Sequence, residues 1–449
     1  MYGHLTRLVA AVCLAAGLLS AALAAGDCEL PPTPWRLELL FPLLEPCNRE
    51  VAAARIAVDA ADADTRVVAQ RPNPSLTLGV SNINPHAGIG SGDLLHKTVD
   101  ASVRIDQTVE RGGKARYRVE TAAAARTAAV SDLDQVRREQ QAALVQAWHA
   151  AVAADERLAL LRELQRLGEE SETLARKRVQ AGDLPVNDLT RISLEVLRAA
   201  NETRQAEAEA RQARLDLMRL LGGGQPPEGL TLTPAWPSTD QPATGGPEDA
   251  LPDNRPDLAA LRARAESARA AVDLARAQAR EDLSVGVQFD HWPTSAANAQ
   301  GTGDSVALSL TVPLEIRHRH EGEIRRAEAD YQAALDALES ARRNARQDLS
   351  GLRAALEAAR DRTRTLQERI IPAGRDIAAR SELAYDKGAA SVLDLIDSRR
   401  ALRQVLLDGV DARLAYARTL ADWQLASGRP LPPGNTASDS QPRTSPETR

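Results

Sequence analysis

The sequence predicts a mainly α-helical chain with a smaller β component, built twice on one strand-and-helix plan. The stretch Gly182–Leu189 (GDLPVNDL) returns 206 residues later as Gly388–Leu395 (GAASVLDL), in the shared frame Gly-x-x-x-Val-x-Asp-Leu. Each copy interrupts a long run rich in Ala, Leu, Arg and Glu, the usage of extended packed helices. Ahead of each long run lie short stretches in which apolar and polar residues alternate, the period of a strand with two unlike faces. Aromatic residues make up 3% of the chain, with two Phe and two Met, so few large side chains are at hand for a thick globular core.

The N-terminus reads as an export signal over residues 1–24. Arg7 precedes the apolar run Leu8–Leu23, and Ala22-Leu23-Ala24 supplies a small-x-small cleavage site. Beyond it no run of eighteen apolar residues remains to make a transmembrane helix. Cys13 leaves with the signal, and Cys28 and Cys47 form an even pair in an oxidising setting, which reads as a disulfide. A lipidated Cys28 is the alternative, opposed by Asp27 where a lipobox takes a small residue. Residues 25–47 read as an extended, Pro-rich segment. The net charge of −6, without a basic block, excludes an electrostatic footprint for nucleic acid.

The first repeat spans 48–224. Asn48–Gln70 is helical, and Arg71-Pro72-Asn73-Pro74 stops it, because proline lacks a donor and biases its predecessor away from helix. A β-hairpin over 75–109 follows. Leu76, Leu78 and Val80 alternate with Thr77 and Ser81; after a Gly/Asn/Pro/Ser loop, Val99, Ala101, Val103 and Ile105 alternate with Asp100, Ser102, Arg104 and Asp106. Past Arg111-Gly112-Gly113 a helical hairpin runs over 114–221, its first arm some 68 residues or roughly 100 Å long at ~1.5 Å per residue. A Pro/Gly/Thr-rich linker covers 225–255. The second repeat, 256–428, replays the plan with a helix, a β-hairpin over 283–313 and a helical hairpin over 322–427, interrupted near Pro372 and Gly374. Ala128/Ala334, Gly182/Gly388, Asp188/Asp394, Asp216/Asp422 and Gly222/Gly428 share the 206-residue offset, and the strands fit best at 207. One offset held over a whole half means tandem duplication. Residues 429–449 read as a disordered tail.

Four strands with one apolar face do not close a barrel alone, and an open sheet edge is not tolerated in lipid, so other copies must complete it. The polar faces, through Thr77, Ser81, Asp100, Ser102, Asp106, Ser284, Gln288, Ser309 and Thr311, would then line a water-filled lumen. The long helices carry too few large apolar residues for separate cores and would stack into a tube.

With its export signal, the Gln70–Ser75 helix-to-strand passage through Pro-Asn-Pro, the Val109–Lys114 Gly-Gly turn and the paired tips, the chain resembles the TolC family of outer-membrane efflux proteins over about residues 48–428. The resemblance implies a homotrimer in the outer membrane of a Gram-negative bacterium, whose twelve pooled strands form one barrel in the lipid above a periplasmic α-helical tunnel. It implies two protein partners, a periplasmic membrane-fusion adaptor and an inner-membrane transporter of RND or ABC type. It also implies passive conduction of cargo in efflux or type I secretion. By the same resemblance the tips dock the adaptor and gate the tunnel, through Arg178, Gly182, Val186, Asp188, Leu189, Tyr385, Gly388, Ser391, Val392, Asp394 and Leu395. Glycine there permits a tight turn, Val and Leu offer an apolar notch, and Asp188 and Asp394 can cap helices or form an acidic ring.

No nucleophile–base, phosphate-loop or zinc spacing stands out, so no enzyme, cofactor or metal site is expected. His318 and His320 in RHRHEGE read as a solvated pair more readily than as metal ligands, and Trp148 and Trp423 as packing residues. The competing reading is a periplasmic coiled-coil structural or adaptor protein without a channel; such an adaptor would carry one hairpin and no whole-chain duplication.

Overall fold

The computed structural model describes residues 28, 30–83, 98–240, 255–294, 301–314 and 317–429. The expected signal, nearly all of the tail and most of both strand-connecting loops lie outside them. In chain order the elements are α1 (Leu37–Cys47), α2 (Arg49–Val68), β1 (Ser75–Ser81), β2 (Asp100–Val109), α3 (Lys114–Gln180), α4 (Val186–Leu220), α5 (Pro256–Gln278), β3 (Leu283–Trp292), β4 (Gly303–Thr311), α6 (Glu321–Thr365), a π-helical turn (Leu366–Ile370), α7 (Ile371–Asp386) and α8 (Val392–Ala426).

The chain divides into two compact units. The first comprises the described residues of 1–54, 135–252 and 345–449. Residues 25–47 are not extended throughout: Leu37–Cys47 is a helix despite Pro42 and Pro46. Its Leu37, Leu40, Leu44 and Cys47 recur at helical spacing, and that face is buried. With Trp35, these leucines join Leu144, Trp148, Leu217 and Met218 in a core of large side chains. The helices therefore do have a true core in this unit, because the N-terminal segment brings its own apolar face to them. Trp423 is buried in a smaller cluster with Leu356 and Tyr416. The linker is pinned here too, as Trp35 N–H donates to Thr231 O (2.9 Å) and Thr233 N–H to Trp35 O (2.9 Å).

Cys28 and Cys47 are joined by a disulfide with Cα atoms 5.7 Å apart. The next residue, Asn48, is 2% exposed and ties three helices together. Its Oδ1 accepts from the N–H groups of Glu50 (2.9 Å) and Val51 (3.1 Å), capping α2. Its Nδ2 donates to Gln140 Oε1 and Leu220 O, both at 3.0 Å.

Pro372 does not break the second hairpin. The chain widens into the π turn Leu366–Ile370 just before it and continues as α7, so the missing N–H is absorbed by a change of hydrogen-bond register. Gly409 on α8 lies so close that a Cβ there would stand 2.7 Å from Ile371 Cδ1. Gly168 likewise leaves α3 unbroken.

The second unit comprises the described residues of 55–134 and 253–344. It contains one antiparallel sheet in the order β1-β2-β3-β4, so the repeats meet at β2–β3. Register repeats with sequence: Gly79 faces Ser102 in the first hairpin, and Gly286 faces Ser309 in the second. A Cβ on either glycine would lie 2.5 Å from the opposing serine Oγ. Where β2 passes into α3, Lys114 Nζ reaches Asp282 Oδ1 (2.8 Å), which also accepts from Arg111 N–H (2.9 Å). Arg118 grips Glu110 with both guanidinium nitrogens at 2.5 and 2.9 Å. No helix among the described residues is long and apolar enough to cross a membrane.

Candidate functional sites: the sheet and the paired tips

In the sheet, the register aligns Leu76, Ile105, Val287 and Leu308 in one row across all four strands. Leu78, Val103, Phe289 and Val306 make a second. Every one of these eight is exposed, from 43% at Val103 to 81% at Leu308. Burying a side chain of this size is worth about 1.5–3 kcal/mol, so the face is built for a non-aqueous neighbour. The other face carries all nine predicted polar residues, Thr77, Ser81, Asp100, Ser102, Asp106, Ser284, Gln288, Ser309 and Thr311. Two further charged residues stand among them. Arg104 holds Asp106 through Nε at 2.7 Å and reaches Ser309 Oγ at 3.1 Å. Asp290 accepts from Gln288 Nε2 at 2.7 Å. The alternation already puts Arg104 on this side, and Asp290, two residues past Gln288, follows the same period. Among the described residues, β1 and β4 are the two outer strands and neither has a second neighbour.

The two tips come together within the first unit. Both turns use a left-handed glycine, Gly182 at φ +82° and Gly388 at φ +73°, a conformation that costs glycine nothing. Asp183 N–H then closes back on Arg178 O, and Ala389 N–H on Ala384 O, both at 2.8 Å. Ala175 and Ile192 of the first hairpin bury against Val392 and Ile396 of the second, with Leu184, Leu189 and Tyr385 around them. Arg178 lies over the Tyr385 ring, 5.4 Å from its centroid. Further along, Arg400 grips Glu195 and Arg403 pairs with Glu202 at 3.3 Å.

Two expectations about the tips need correction. Val392 and Leu395 are 5% and 4% exposed and occupied within the chain, so they offer no open notch. Exposed apolar residues beside the turns include Val186 (66%) and Leu393 (49%), the latter at a variable position of the shared frame. Nor are Asp188 and Asp394 the N-cap residues, although Asp394 supplies the second half of the cap of α8. The cap of α8 is Ser391, whose Oγ accepts from Asp394 N–H at 3.2 Å while Asp394 Oδ2 accepts from Ser391 N–H (3.0 Å) and O–H (2.7 Å). This reciprocal box holds the Asp394 carboxyl below the usual carboxylate range, chiefly through the Ser391 hydroxyl. In α4 the corresponding residue is Pro185, which has no side-chain cap and no N–H for Asp188 to accept. Asp188 instead lies 3.8 Å from Arg191.

Among the described residues, one group of side chains could hold a metal ion. His318, His320 and Glu323, at the start of α6, place one ligand atom each within 4.8 Å of one another.

A sequence model described as outer membrane efflux protein matches residues 43–223 and 248–429. The chain is 24% identical over 396 residues to the cobalt-zinc-cadmium resistance protein CzcC of Cupriavidus metallidurans, covering 88% of each. Among solved structures it resembles CusC with a TM-score of 0.73 at 18% identity, covering 88% of this chain and 92% of that one. It also resembles the open state of the MtrE outer membrane channel of Neisseria gonorrhoeae, with a TM-score of 0.70 at 21% identity over 88% and 89% of the two chains. With both repeats matched, this chain belongs to the outer membrane efflux protein family.

Proposed function

We propose that this chain is the outer-membrane duct of a tripartite efflux or type I secretion assembly, fed by an inner-membrane transporter through a periplasmic adaptor. The observation that carries the reading is a four-stranded sheet with an exposed apolar face and two outer strands lacking a second neighbour. Such a sheet is stable in lipid only when further copies close it; three copies give twelve strands, and the polar face then lines the lumen. Conduction is passive, and the transporter selects the cargo. The name of the relative matched over most of its length supports transition-metal cations as the first cargo to test.

The exposed Val186 and Leu393, beside the two turns, suit the adaptor's helical tip. The variant Val186→Asp/Leu393→Asp is expected to abolish export from cells while trimers are still extracted from the outer membrane in detergent at wild-type yield. Export at the wild-type rate would refute docking there, and a chain found only as a soluble periplasmic monomer would refute the channel.

A further inference from the structure

At one junction the second repeat departs from the first. The residue just before α3 is Gly113, in the left-handed region at φ +80°, and its carbonyl accepts the Tyr117 N–H at 3.1 Å. Its counterpart at the strand offset of 207 residues is His320, just before α6 at φ +56°, and its carbonyl accepts the Ile324 N–H at 3.0 Å. Both residues open a long helix in the same way. The backbone there suits glycine best, so the turn alone does not account for an imidazole.

The side chains around it supply the account. The His320 ring centroid is 4.3 Å from that of His318, and His318 Nε2 lies 2.9 Å from Glu323 Oε1 in the first turn of α6. An ion pair between His318 and Glu323 would explain those two residues and leave His320 without a role.

We propose that His318, His320 and Glu323 form a divalent transition-metal site, with two imidazole nitrogens and one carboxylate oxygen as ligands and water completing the shell. Tetrahedral ligands at bond lengths of ~2.0–2.1 Å stand about 3.3 Å apart. The His318–Glu323 pair, now in hydrogen-bond contact at 2.9 Å, has to part by a few tenths of an ångström as the ion replaces the shared proton, and the third ligand closes by rotation of its side chain. Imidazole with a single carboxylate suits Zn²⁺, Co²⁺ or Ni²⁺, whereas Mg²⁺ and Ca²⁺ take oxygen-only shells. Arg317 and Arg319 alternate with the histidines, so ligation, and not general anionic attraction, supplies the affinity.

The test uses the full chain purified in detergent, stripped with a chelator and titrated calorimetrically with Zn²⁺. Wild type is expected to take up one ion per chain, with little change on adding salt and none displaced by Mg²⁺. His320→Gly restores the residue of the first repeat and so keeps the turn; it is expected to elute and melt as wild type yet bind at least about tenfold more weakly, as is His318→Ala. Absence of Zn²⁺ uptake by wild type, or uptake by His320→Gly equal to wild type, would overturn the proposal. Binding is read on the purified chain, so its outcome is independent of whether the chain exports anything.

Discussion

Ser391 and Pro185 hold the same place in the two tips and do different things. Ser391 completes a reciprocal cap with Asp394, while Pro185 leaves Asp188 with nothing to accept from the preceding backbone. The second tip is thus the more firmly closed and the first the easier to open locally. Ser391→Ala is expected to reduce amide-exchange protection at the start of α8 by about fivefold, the worth of a typical helix cap. The effect is pH-dependent with a definite sign. Asp394 titrates lower in the folded chain than its ordinary value of 3.8. Its stabilisation is therefore complete above that value and is lost as pH falls through the lower folded value. Protection at the second tip should consequently drop on acidification below pH 4 in the wild type and drop less in Ser391→Ala, which loses the hydroxyl but keeps the backbone N–H that Asp394 also accepts. The shared Gly-x-x-x-Val-x-Asp-Leu frame showed where the tips are, but side-chain burial decided their surface: Val392 faces inward and Leu393, at a variable position of the frame, faces water.

At the scale of elements, the long helices are legible because their interior lacks proline, and the strands because their alternation is strict. What the pattern misjudged were prolines that tertiary contacts override. Pro42 and Pro46 sit inside α1 because Leu37, Leu40 and Leu44 bury together against Trp148 and Leu217. Pro372 is carried by a π turn, seated where Gly409 leaves room for Ile371. Asn48 is the element-scale joint, capping α2 while holding α3 and α4 through Gln140 and the Leu220 carbonyl. Asn48→Ala removes a cap and strands a partly buried carbonyl, and is expected to cost about 1–2 kcal/mol. A lowered thermal midpoint with unchanged helix content would show it; a midpoint equal to wild type would mean the joint is dispensable.

For the whole molecule, the decisive feature is a sheet that is finished only in company. Leu308, the most exposed of its apolar residues at 81%, lies mid-strand on the face assigned to lipid. Leu308→Arg is expected to cost about 2–4 kcal/mol on insertion if that face meets the bilayer core. Fractionation should then show the variant depleted from the outer membrane, whereas Thr311→Arg on the polar face should insert normally. Equal insertion of both variants would reverse the assignment of the faces.

By itself the sequence determined the duplication, the alternation of the strand faces and the position of both turns, because each is written as periodicity, spacing or residue type along the chain. The tertiary structure decided which apolar side chains are spent inside and which are left for a partner. It also decided how prolines are accommodated in helices. Those outcomes depend on which segments meet in space, and a linear pattern does not encode that meeting.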